Sequence, residues 1–142
     1  MPPGIFLFKT LTKVDAQAMA IARGADDTVL VSDTSNHRVQ RFDGRGKLLA
    51  AIGRPGAGRG ELKFPQGIAV APDTTLVVCE YGANRVSRFR QDGTFLGVFG
   101  ESGRAPGLFH SPRGVAVSDG GEVFVADTEN HRIQRFPLGA LA

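Results

Sequence analysis

The sequence predicts an all-β protein built from three copies of one four-stranded unit, and three observations predict it. The first is a fixed spacing. Arg38, Arg85 and Arg132 stand 47 residues apart, as do Phe42, Phe89 and Phe136, and Val31, Val78 and Val125. Such self-similarity marks a repeat architecture. The second is turn content: 19 glycines and 8 prolines spread along 142 residues call for many short strands joined by many turns. The third is negative. No stretch carries a 3.6-residue apolar stripe with caps, and β-branched and aromatic residues sit where strands are needed.

The middle copy shows the unit most clearly. Residues 67–70 (Gly-Ile-Ala-Val) form a short apolar strand, followed by a turn at 71–74. Residues 76–79 are almost continuously apolar, as a strand covered on both faces should be. A polar turn leads to a third strand, 85–89. The Asp92-Gly93 hairpin signal then introduces a fourth at 94–99. A long loop, 100–111, reaches the next copy. Four antiparallel strands repeated every forty to fifty residues describe a β-propeller blade. The blades are expected at about 18–53, 65–100 and 112–136, within a single domain spanning 1–142. The first opens on a strand at 18–22. The third lacks a fourth strand after Phe136, because Pro137 cannot donate to a ladder. Residues 5–11 are strand-like and can complete a third blade if a ring closes.

Composition is that of an ordinary soluble domain, 42% hydrophobic and 22% charged. The apolar run at 5–8 ends at Lys9, too short to span a membrane, and no leader pattern surrounds it. The chain as given is therefore expected to be soluble, cytoplasmic and without a membrane partner. Its lone Cys79 lies in an apolar strand and is expected to be buried and inert. A net charge of +3 is too mild to argue for nucleic acid by itself.

The segments 31–42 (VSDTSNHRVQRF) and 125–136 (VADTENHRIQRF) resemble the core of the NHL repeat, with Asn-His-Arg at 36–38 and 130–132. The stretches 65–70 and 112–117 are similar to the opening strand of that family. The middle copy departs from the pattern, with Ala83-Asn84-Arg85 and Glu80 in place of Asn-His-Arg and Asp. The resemblance covers roughly 18–136. It implies six-bladed propellers, whereas three blades form only half a ring and would leave apolar flanks open. Two explanations stand side by side: two chains close a six-bladed ring head to tail as a homodimer, or the chain belongs to a longer six-bladed protein.

Strand order places the loops between second and third strands on the same face, the top, as the inter-blade loops. That face is expected to be net positive and its opposite net negative. This polarity points to an acidic or anionic partner. The candidate partner-binding residues there are His37, Arg38, Arg59, Arg85, Arg113, His131 and Arg132. For Arg38, Arg85 and Arg132 a structural role is favoured, binding backbone carbonyls or the acid five residues earlier. Arg41, Arg88 and Arg135 should lie on the other side of that strand. Asp33, Glu80 and Asp127 read as local backbone caps rather than a metal ring. No metal, cofactor or catalytic set is expected. Lyases with this fold hold a zinc through histidines in the central channel, and His37, His110 and His131 do not match that set. The glycine-rich loop 53–60 lacks the Gly-Lys-Ser/Thr ending of a phosphate loop. The expected function is a non-catalytic scaffold binding a protein. The alternatives are an RNA-binding module, or a lyase or hydrolase with a channel metal.

Overall fold

The computed structural model describes residues 18–142. Eleven strands there form three antiparallel meanders. The first blade contains β1 (Ala18–Arg23), β2 (Val29–Asp33), β3 (Arg38–Phe42) and β4 (Leu48–Ile52). The second contains β5 (Pro65–Val70), β6 (Leu76–Glu80), β7 (Arg85–Phe89) and β8 (Phe95–Phe99). The third contains β9 (Pro112–Val117), β10 (Glu122–Asp127) and β11 (Arg132–Pro137). The all-β blade architecture is the one the repeat predicts. The proposed closing strand at 5–11 lies outside the described residues.

Each blade turns its alternate residues to a different neighbour. From blade 1, Leu30, Val39 and Ile52 pack against Ile68, Leu76, Val78 and Phe89 of blade 2, all buried. From the other side of blade 2, Val77, Cys79 and Val86 meet Val123, Val125 and Phe136 of blade 3. This explains why residues 76–79 are apolar at every position: a central blade has no solvent side. Leu62 and Phe109, from the two inter-blade loops, fill the crevices and are fully buried. The inner strands approach closely. A methyl at Gly67 would stand 2.7 Å from both the Arg113 carbonyl oxygen and the Cys79 sulfur.

The lower hairpins are held by aspartates. Asp43 Oδ1 accepts the Arg45 and Lys47 amides at 2.8 and 2.9 Å, which holds its carboxyl below the usual range. Asp92 accepts the Thr94 amide and hydroxyl in the same way. On the upper side, 3₁₀ turns Thr34–Asn36 and Thr128–Asn130 end at His37 and His131 in the left-handed region, φ 55° and 54°. Asn84 takes the same conformation, φ 53°, at the matching place.

After β11 the chain does not trail away. Residues Leu138–Leu141 form a 3₁₀ turn against β8 and β7 of the preceding blade, with Leu141 fully buried. The turn sits so close that a methyl on Gly97 would fall 2.2 Å from the Leu141 carbonyl oxygen. Gly97→Ala should therefore lower stability by about 1–3 kcal/mol in chemical denaturation. In a chain truncated before Leu138 the same substitution should cost almost nothing. Equal costs in both backgrounds would show that the turn does not set the penalty.

Candidate interaction face

The upper side of each blade is organised by a buried carboxylate. Asp33, Glu80 and Asp127 are fully buried at the ends of β2, β6 and β10. Each accepts the Nε–H of the arginine five residues on: Arg38 at 2.8 Å, Arg85 at 2.9 Å and Arg132 at 2.8 Å. Two of these guanidinium groups reach further. Arg85 donates to the carbonyls of Ala57, Gly58 and Glu61, and Arg132 to those of Ala105 and Leu108. The acceptors belong to the loop that precedes the arginine's own blade. The structural role expected of these arginines is thus visible in the geometry.

The expected role of the acids needs correction. Asp33 and Asp127 make no side-chain cap to the 3₁₀ turns they precede. Instead Glu80 accepts the Lys63 amide at 3.0 Å and Asp127 the His110 amide at 2.8 Å, each 17 residues back. The local turn is satisfied by its own backbone, so the carboxylate is free to hold the incoming loop. Burial pushes the Glu80 carboxyl up, against the opposing pull of Arg85 and Ser87. At Asp127 burial acts the same way, but hydrogen bonds from His110, Asn130, Arg132 and Gln134 outweigh it and leave the carboxyl below its usual value.

The remaining candidates are dispersed. His37 Nδ1 accepts the Phe64 amide at 3.0 Å, and its ring meets Phe64 edge-on at 4.4 Å. Asn84 Oδ1 accepts the Ser111 amide at 2.8 Å, the same link one blade on. Arg113 lies over the Tyr81 ring at 4.3 Å and donates to Gln66. Arg59 does not stand with this group. Its guanidinium covers Phe95, 5.1 Å away, at the start of the outermost strand β8. His131 is exposed and, with Arg104, Glu129, Asn130 and Arg132, lines a depression of about 240 Å³. A second depression of about 200 Å³ is lined by His37, residues 55–57 and Lys63. Of the other arginine set, Arg41 reaches Thr28, and Arg88 reaches Thr75 and pairs with Asp73.

Sequence reasoning missed one cluster. Phe64 lies between His37, which meets it edge-on, and Tyr81, whose ring is tilted against it at 5.2 Å, and Arg113 caps the row. Tyr81 and Phe64 occur in one copy only, so the periodic signal passes over them. Among the described residues no group of three or more His, Cys, Asp or Glu side chains could hold a metal. No helix there is long and apolar enough to cross a membrane. Burial pushes the Cys79 thiol up to about 12, as befits a small buried hydrophobe.

The NHL repeat profile matches residues 20–42 and 109–136. These two segments are NHL repeats. The profile does not match the middle unit, where Glu80, Ala83 and Asn84 replace the acid and the Asn-His pair. No curated protein matches the chain. Several solved propeller structures do. One is a nidogen/laminin complex, at 21% identity over 88% of this chain and 46% of that one, TM-score 0.71. Another is a gluconolactonase from Xanthomonas campestris, at 21% identity, 92% and 47% coverage, TM-score 0.69. A third is virginiamycin B lyase from Staphylococcus aureus, at 19% identity, 84% and 41% coverage, TM-score 0.62. These likenesses show the fold. The chain spans less than half the length of each.

Two outcomes follow from the carboxylate links. Removing the guanidinium should cost most where it is most enclosed. Arg85→Ala is expected to cost about 3–5 kcal/mol, because it strands a buried charge. Arg132→Ala and Arg38→Ala, whose side chains are 29% and 35% exposed, should cost about 1–2 kcal/mol each in urea unfolding. The pH dependence differs in sign. Asp127, lowered in the folded chain, contributes stability above the unfolded value of about 4 that is lost as pH falls through its folded value. Glu80, raised, contributes stability present below its unfolded value and lost as pH rises through its folded value. At pH 7 Asp127→Asn should therefore destabilise more than Glu80→Gln. Acidification below about pH 4 should raise amide exchange at His110 in the wild type.

Proposed function

We propose that the chain is a non-catalytic NHL propeller scaffold that binds a protein partner with an acidic surface through its upper loops. The observation that supports this is the division of labour among the upper side chains. The repeated arginines are spent on backbone carbonyls and buried acids, whereas Arg104, His131 and Lys63 stand exposed at two shallow depressions, and Arg54 is exposed beside Pro55 of the second. Arg54 is 80% exposed and only loosely paired with Glu61, at 3.6 Å. A rigid frame presenting variable loops suits recognition, and cations on the rim favour an acidic partner. Binding within a nidogen/laminin complex by a protein of this fold is in keeping with that reading.

One observation favours a second reading. The row of His37, Phe64, Tyr81 and Arg113 offers stacking surface of the kind single-stranded RNA uses. Fluorescence anisotropy with an acidic peptide and a single-stranded RNA separates the two. The peptide is expected to bind with micromolar affinity, weakened about tenfold by Arg104→Glu and little changed by Tyr81→Ala. Tighter RNA binding that falls steeply between about 50 and 200 mM salt, and is lost with Tyr81→Ala, would replace the protein reading with the RNA one.

A further inference from the structure

The two outward flanks of this three-blade stack carry the same positions that its internal junctions bury. On blade 3, Phe124 is 36% and Ile133 67% exposed. Their counterparts 47 residues earlier, Val77 and Val86, and 94 earlier, Leu30 and Val39, are all 0% exposed because the next blade covers them. On blade 1, Met19 is 55% and Ile21 69% exposed. The counterpart of Ile21 in blade 2 is Ile68, 8% exposed against blade 1. Val31 and Phe42, farther out on the same flank, are buried, so the open patch follows the inner strand. Inner strands are what adjoining blades bring together: β5 lies against both β1 and β9.

A polar link is open as well. His37 and Asn84 each accept the amide just before the opening strand of the following blade. His131 has the same left-handed backbone, φ 54°, at the third place in the series. Its ring is exposed at the rim of the 240 Å³ depression. Among the described residues no blade follows it to supply the amide.

We propose that these flanks are the two halves of one blade–blade junction, and that a second copy of this chain docks on them head to tail to close a ring. The occupant follows from register. A second copy presents Met19 and Ile21 where β5 and β9 stand at the internal junctions, and receives Phe124 and Ile133 on the face that Ile68 uses. A head-to-tail contact that closes after two copies leaves no open flank, whereas one that does not close builds fibres.

The test is the solution mass of the 142-residue chain across a concentration series, by light scattering and sedimentation velocity. The expected mass is twice the 15.1 kDa of one chain. Ile133→Glu and Ile21→Glu place a charge in each half of the junction. Each should weaken dimerisation about a hundredfold or more, with an unchanged circular dichroism spectrum. Ile133→Thr, which keeps a strand-forming side chain, should weaken it less while guarding against misfolding. Mixing the two glutamate variants restores one intact junction and should recover a dimer weaker than wild type. His131→Ala should raise the dimer dissociation constant about tenfold. A monomer throughout, a ladder of higher masses, or a dimer indifferent to both glutamates would overturn the proposal.

Discussion

The pairing of a buried carboxylate with an arginine five residues on is the constraint from which the rest of the upper structure follows. A carboxylate removed from water is costly unless its lone pairs are met. Glu80 meets this need with Arg85, Ser87 and the Lys63 amide, and the demand for that amide fixes the path of the loop. Once the loop is fixed, Leu62 falls into the first crevice, and the Asp127 link seats Phe109 in the second. The electrostatic tie and the apolar plug are thus one device. Its main product is register rather than net energy, since buried ion pairs often do little better than apolar replacements.

Blades 2 and 3 reach this result by different compositions, and the differences compensate in length. In blade 3 the short Asp127 is reached by Asn130 and by the long Gln134. In blade 2 the acid is Glu80, one methylene longer. Ala83 has no side-chain donor in place of the asparagine, and the short Ser87 stands where Gln134 would. A longer acid with a shorter neighbour fills the same space as a shorter acid with longer ones. The middle unit is divergent in letters while its geometry is retained, which is why a profile built on Asn-His-Arg passes over it.

Much of the fold was legible because spacing is a property of the chain alone. The blades, the inward valines and the structural use of Arg38, Arg85 and Arg132 all follow from strict recurrence. What recurrence could not show is where a recurring residue finds its partner. The carboxylates were expected to close their own turns, yet their amides come from 17 residues away, and nothing local in the sequence marks so distant a donor. Arg59 looked like a member of the upper rim by loop position. The only copy with a phenylalanine at the start of its fourth strand draws it to the outer edge instead. Residues 137–142 carry no periodic counterpart, so their packing beneath β8 had no signal to announce it. The aromatic row around Phe64 was hidden for the same reason: it belongs to one junction and not to the repeat.

The acceptor at the end of each upper turn has a meaning for how such chains change over time. His37 and Asn84 hold the start of the next blade, while Glu80 and Asp127 hold the loops before their own blades. The middle unit therefore carries a fitting for the unit behind and one for the unit ahead. A tandem duplication or an in-frame loss of one whole period adds or removes a complete set of fittings together. No new interface has to be invented, and both surrounding units still find what they need. Ancestral chains of this kind could lengthen or shorten by whole modules while remaining foldable at every step.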